Sequence, residues 1–244
     1  MAAASASAPH EIKDDPAPID RKLAELKKSF GLKKTRDAKF RIEQLQNLKK
    51  GIKVLEKDID ESLKVDLGRT GYANEFIETM GIVKKIDHAI ENLHKWMKDE
   101  VRDTPMLIGP AKSRVVYEPL GVALVIGSWN FPYFTCIGPL IYAIAAGNCC
   151  IVKPSEMAPQ CSKIIKRLMV RYLNTSCFAC IEGAVQVAIA ITSKPFDVIL
   201  FTGSTQKGKL VAASAAKNLV PCILELGGKS PTIVDKSADP VFAA

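Results

Sequence analysis

The chain has 244 residues, 48% of them apolar and 25% charged, a make-up that excludes a disordered or fibrous protein and allows one large core or two small ones. Its formal charge is +8, but much of the basic excess lies between Arg21 and Lys64, where Lys and Arg alternate with Leu, Ile and Phe at helical spacing. That is the pattern of solvated helix faces rather than of a nucleic-acid surface, so no nucleic-acid partner is expected and the charge gives only a mild pull on anionic ligands.

Residues 1–18, rich in Ala, Ser, Pro and acid, read as a flexible tail, and their lack of arginine argues against a mitochondrial transit peptide. Three helical stretches follow at 19–30, 35–63 and 72–97, with apolar residues three and four apart and breaks at Gly31 and Gly68 to Gly71, so that 19–105 is a helical region. Residues 113–118 alternate as a short strand ending at Pro119, within a strand or hairpin region at 106–120. Leu120 to Val152 contains no charged residue, yet Asn130, Pro132, Pro139, Gly147 and Asn148 interrupt it, which excludes a membrane span and suits a buried strand, turn, helix and strand. From Gly121 to the last residue the pattern repeats: strands at 122–126, 149–152, 178–181, 198–201 and 222–224, helices at 136–146, 159–172, 185–191 and 206–216. Apolar strands separated by helices predict a doubly wound parallel sheet, covered on both faces, with ligands at the C-terminal ends of its strands.

The segment from Phe196 to Leu210 is the most informative. An apolar strand passes through a glycine turn into a helix beginning near Gln206, and the unpartnered amides of such a helix start receive phosphate. Gly203 to Lys209 also fits G-x-x-x-x-G-K, the phosphate loop of nucleoside triphosphatases, with Asp235 in Thr232-Ile233-Val234-Asp235 as a mimic of its magnesium partner. That loop needs Ser or Thr after the lysine to hold the metal, and the residue here is Leu210. Glu225 follows in Leu224-Glu225-Leu226-Gly227-Gly228-Lys229-Ser230-Pro231, where a carboxylate leaving a buried strand beside glycines is placed to act as a base next to a cofactor. Together the two segments predict a nucleotide-dependent enzyme.

Seven cysteines, mostly in apolar runs and with no secretory leader, read as reduced thiols of a cytoplasmic protein. Cys177 and Cys180 form a lone C-x-x-C without a second pair, and His10, His88 and His94 show no metal spacing, so no metal site is expected.

Six stretches in order carry a resemblance to a known family: Tyr117-Glu118-Pro119-Leu120-Gly121-Val122, Ser128-Trp129-Asn130-Phe131-Pro132, Gly147-Asn148, Val152-Lys153-Pro154-Ser155-Glu156, Phe201-Thr202-Gly203-Ser204-Thr205, and the segment around Glu225. From about Lys22 to the end the chain resembles the N-terminal half of an aldehyde dehydrogenase of the class 3 (fatty and aromatic aldehyde) branch. The resemblance implies a Rossmann-like sheet of the aldehyde dehydrogenase type, NAD or NADP as cofactor, an aldehyde substrate and a homo-oligomer. It implies that Asn130 donates its side-chain amide to the oxyanion formed when a thiolate attacks the aldehyde, and that Glu225 is the general base that activates water against the thioester. It implies that Lys153 and Glu156 hold the adenosine ribose hydroxyls, that Ser204 and the turn of Gly203, Thr205, Gln206, Lys207 and Gly208 face the pyrophosphate, and that Trp129 lines the cofactor cleft. A carboxylate at Glu156 repels a 2′-phosphate and so favours NAD over NADP. Each residue also has a plainer reading: a turn asparagine, a surface ion pair, a helix N-cap, a core tryptophan and a strand-end glutamate in an ion pair.

The family's cysteine nucleophile lies in a G-Q-x-C segment some thirty residues after the base, beyond Ala244, and none of the seven cysteines has that context. Cys222, three residues before Glu225 on a strand, points to the opposite face. The catalytic domain is therefore expected to be truncated, and the chain alone inactive. It is then a piece of an active enzyme, a structural subunit, or one half of a split enzyme whose partner covers the exposed interface and brings the cysteine.

Overall fold

The structure, a computed structural model, describes residues 12–243. Helix α1 (Pro18–Gly31) starts with proline in its first turn and buries Ile19, Leu23 and Leu26. Helix α2 (Ala38–Val54) is capped by Asp37, whose carboxylate accepts from the Lys39 amide at 3.1 Å. The single helix expected over 35–63 is two. Leu55 leaves helical geometry (φ −95°, ψ 9°) and redirects the chain into α3 (Glu56–Leu67), which turns Ile59 and Leu63 into the core.

The helix expected over 72–97 is also interrupted. A short α4 (Tyr72–Asn74) runs into a π-helical turn, Glu75–Met80, before α5 (Gly81–Trp96) resumes with Ile82, Ile86, Ala89 and Leu93 buried. The turn carries Glu78 inward, where it is buried. Strand β1 (Glu100–Arg102) pairs antiparallel with β2 (Ser113–Val115). This hairpin begins inside the region assigned to helices and ends before residue 118, because three-residue strands are too short for alternation to mark.

β3 (Val122–Ile126) and β4 (Cys149–Lys153) are buried at every position, as central parallel strands covered on both faces must be. Between them α6 (Pro132–Ala145) starts four residues earlier than expected, with Pro132 in the first turn. α7 (Pro159–Tyr172) leads to β5 (Phe178–Cys180), α8 (Val185–Thr192) to β6 (Val198–Gly203), and α9 (Thr205–Ala216) to β7 (Cys222–Leu226). All five strands are parallel, in the order β5-β4-β3-β6-β7. Right-handed crossovers place α6 and α7 on one face and α8 and α9 on the other, and the winding reverses between β3 and β6. β7, expected to be a buried strand, is a half-exposed edge, because α9 packs on one of its faces and only part of the other is covered.

Arg41 fastens the start of α2 to the end of α6 and the turn that follows it. Its buried guanidinium donates from Nε to Thr35 O at 2.8 Å, from Nη1 to Ala145 O at 3.0 Å and from Nη2 to Arg36 O at 2.9 Å. Thr35 Oγ1 in turn donates to Gly147 O at 2.6 Å. Gly147 has φ +83°, and a Cβ there would stand 2.5 Å from Arg41 Nη2, so the guanidinium fills the space that glycine leaves. Arg41→Leu strands three carbonyls and is expected to cost about 3 kcal/mol. For a chain of this size that lowers Tm by about 6–12 °C in a thermal melt. An unchanged Tm would show that the tie contributes nothing.

Candidate active site

A parallel sheet gathers the residues that follow its strands along one edge. After β3, Gly127 lets the backbone close on α6: a Cβ there would lie 2.2 Å from Cys136 Sγ. The Ser128 amide donates to Thr135 Oγ1 at 3.0 Å, and Thr135 Oγ1 donates to Phe131 O at 2.9 Å. Ser128 Oγ donates to Asn130 Oδ1 at 2.6 Å, which occupies the carbonyl end of that side chain and leaves its NH2 as the outward donor. Asn130 is exposed and Trp129 beside it is half-exposed, so Trp129 is not a core residue.

At the end of β4, Lys153 is only 2% exposed. Its Nζ donates to Pro154 O at 3.1 Å and to Glu156 Oε2 at 3.2 Å, so the pair is a half-buried donor and acceptor rather than a loose surface ion pair. At the end of β6, Ser204 caps α9 by accepting from the Lys207 amide at 3.3 Å. Thr205, Gln206 and Lys207 are exposed on its first turn. Between Gly203 and Thr205 only Ser204 is free of regular structure, too little backbone to wrap a triphosphate. Gly208 lies inside the helix, where a Cβ would meet Leu226 Cδ2 at 2.6 Å. The phosphate-loop pattern is therefore a helix start whose second glycine serves close packing against β7.

Strand register separates these residues by face. Thr202 pairs with Glu225, and Val125 with Val152 and Leu200. Since side chains alternate, Glu225, Thr202, Leu200 and Val125 share the face of α6, while Lys153, Ile126 and Phe201 share the face of α8 and α9. Glu225 borders an open apolar cavity of about 480 Å³ between the sheet and α6, which Lys85, Phe134, Thr135 and Ile223 also line. Lys153 and Glu225 are three strand spacings apart, roughly 14 Å.

The cysteines offer no nucleophile here. Burial pushes the Cys136 thiol up to about 12, and Cys150, Cys161, Cys180 and Cys222 also upward. Cys149 and Ser176 beside it hold the Cys177 thiol below its ordinary range, at the far edge of the sheet. Cys222 faces away from Glu225, as strand parity requires. Among the described residues no group of three or more His, Cys, Asp or Glu side chains could hold a metal, and His88 and His94 are exposed.

The sequence matches the profile described as "Aldehyde dehydrogenase family" over residues 11–244. The chain belongs to the aldehyde dehydrogenase family. It is 41% identical over 227 residues to mouse (Mus musculus) aldehyde dehydrogenase family 3 member B3, covering 93% of this chain and 47% of that protein. It is 42% identical over 224 residues to the 4,4'-diaponeurosporen-aldehyde dehydrogenase of Staphylococcus aureus, covering 91% of this chain and 48% of that protein. The substrate-bound structure of Staphylococcus aureus AldH superposes with a TM-score of 0.85 at 42% identity, over 91% of this chain and 48% of that one. A betaine aldehyde dehydrogenase from the same organism, solved with NAD+, gives 0.80 at 25% identity, over 93% of this chain and 47% of that one. These relatives include the class 3 branch, and this aldehyde dehydrogenase chain spans about half the length of the curated relatives it matches.

Asp14 is among the residues of the edge that escaped the sequence. It falls in the stretch read as a flexible tail; residues 1–11 of that stretch lie outside the described ones, but Asp14 is bound to the start of α8. Asp14 Oδ1 accepts from the Ala184 and Val187 amides at 2.9 and 3.0 Å, and Oδ2 from the Gln186 amide at 3.0 Å, capping α8 from 170 residues away. No local pattern marks such a cap. The Val187 amide leads the interactions that lower the Asp14 pKa from 3.8, so its stabilising effect is present above that value and is lost as pH falls through the depressed one. Asp14→Ala is expected to melt below the parent at pH 7, and the gap to close as the pH drops below 3.8. A gap independent of pH would contradict the cap.

Proposed function

We propose that this chain supplies the cofactor half of an NAD(P)-dependent oxidation of aldehydes to carboxylic acids. One observation carries the reading: Asn130, Lys153, Ser204 and Glu225 stand on one edge of the sheet where its winding reverses, Lys153 on the α8–α9 face and Glu225 on the opposite one. The residues fit a dinucleotide. The Lys153–Glu156 pair offers a donor and an acceptor for vicinal ribose hydroxyls, and the start of α9 offers amides and a dipole for a pyrophosphate. When bound, the nicotinamide supplies the hydride acceptor for the aldehyde carbon.

The chain's own residues do the rest. The outward NH2 of Asn130 stabilises the oxyanion that develops when a thiolate attacks the aldehyde, an effect of about 3 kcal/mol for a single donor. Glu225, over the cavity, takes the proton of the water that hydrolyses the thioester. Glu156 places negative charge where a 2′-phosphate would sit, which favours NAD. The thiolate is supplied from outside these 244 residues, by the half of the family's length that the chain does not span or by a partner. That part covers the cavity beside Glu225 and the β7 edge, while the hairpin, with Val101, Met106 and Leu107 largely exposed, supports association of copies. We place the protein in the cytoplasm, a reading supported by its seven unpaired cysteines.

The purified chain is expected to melt higher with NAD than with ATP and magnesium, and to make no NADH from an aliphatic or aromatic aldehyde on its own. Glu156→Gln should weaken NAD about tenfold, the worth of one charge-assisted hydrogen bond, and NADP less. Turnover should return when a separately expressed C-terminal half carrying the cysteine is added. Steady NADH production by the chain alone, or stabilisation by ATP and not by NAD, would overturn the reading.

A further inference from the structure

The turn that carries Asn130 is held by residues some fifty positions earlier in the chain. Helix α6 begins directly after it with Phe131 as N-cap, and no side chain of the turn caps the first amides. The acceptor comes from the π-helical turn. Glu78 Oε2 accepts from the Phe134 amide at 2.8 Å, while Oε1 accepts from Arg69 Nη2 at 2.7 Å. The Arg69 guanidinium lies over the Phe131 ring, 4.9 Å from its centroid. Asn130 is bonded to Phe131 on one side and held by Ser128 Oγ on the other, so a clamp on Phe131 fixes the backbone from which the amide projects.

This arrangement is more than a helix start requires. A local Ser, Thr or Asp caps a helix without burying charge, whereas the Glu78 side chain is fully buried. Burial raises its carboxyl above the ordinary value although the Phe134 amide and Arg69 both pull it down. A buried charge is tolerated where its partners are fixed and its geometry is used. The helix here also takes up a π-helical turn, a feature frequent at functional sites, and Glu78 lies within it. An oxyanion donor acts through preorganisation, which is lost when its support moves by about half an ångström.

We propose that Glu78 and Arg69 are positioning residues for the Asn130 amide: Glu78 caps α6 and anchors Arg69, and Arg69 clamps Phe131. The inference rests on the reading of Asn130 as an oxyanion donor, but the clamp itself is tested without turnover. The chain has two tryptophans, Trp129 next to Asn130 and Trp96 on α5 against His88 and Tyr142. In a Trp96→Phe background the only indole N–H resonance in a 15N–1H spectrum is that of Trp129.

The parent should show one sharp resonance. Glu78→Gln keeps its one acceptor for the Phe134 amide but turns an NH2 toward Arg69, so it should broaden the resonance less than the loss of Arg69 does. The double variant Glu78→Gln/Arg69→Met leaves no unpaired buried charge and still caps α6, but releases Phe131; there the Trp129 resonance should split or broaden at least twofold, with the rest of the spectrum unchanged. A sharp, unshifted Trp129 resonance in the double variant would overturn the clamp. A split already present in the parent would overturn it as well. If the clamp holds and Asn130→Ala leaves the turnover of the complemented pair intact, the oxyanion reading fails while the positioning result stands.

Discussion

Acidic side chains of the N-terminal region cap helices to which they do not belong. Glu78 caps α6, Asp14 caps α8, and Asp66 of α3 accepts from the Cys161 amide at the start of α7 at 2.8 Å. The N-caps of these helices, Phe131, Ala158 and Ala184, make no capping bond of their own. Each cap meets an orphan amide and the positive end of a helix dipole, so the three contacts join the N-terminal helices to the sheet at the edge where the candidate site lies. The turns at that edge are thereby relieved of capping. Asn130 follows β3 with its amide outward, and Lys153 and Glu156 pair with each other after β4. Only at α9 does a candidate site residue, Ser204, also cap its own helix.

The sheet was legible from the sequence because its signal is local and strong. Runs such as Val122–Ile126 and Cys149–Lys153 are apolar at every position, and glycine turns punctuate them. The helix breaks were not legible. Apolar spacing continues through Leu55 and through Glu75–Met80, and what ends each helix is tertiary: α3 turns toward α7, and Glu78 is drawn to Phe134. β1 is too short to carry a pattern, and the exposure of β7 depends on what packs over it, which composition does not show.

For the candidate site, the sequence named residues but not the terms on which they meet. Lys153 and Glu156 could be named from their place after a strand, yet an exposed ion pair and a half-buried pair are spelled alike. The separation of Lys153 and Glu225 onto opposite faces follows from strand register, which requires the pairing to be known. Gly203 to Lys209 has the spacing of a phosphate loop, which Leu210 argues against, and the fold uses Gly208 for contact with Leu226. Asp14, Asp66, Glu78 and Arg69 were invisible because each acts on a segment far along the chain.

The account stands on the C-terminal edge of the sheet being where a dinucleotide lies. An NAD titration followed by backbone amide NMR tests this directly. The expected result is shifts confined to Trp129 and Asn130, Lys153 to Glu156, the amides at the start of α8, Gly203 to Gly208, and Glu225. Shifts at the opposite edge, around Thr35, Asn148 and Cys177, or none at saturating NAD, would contradict it.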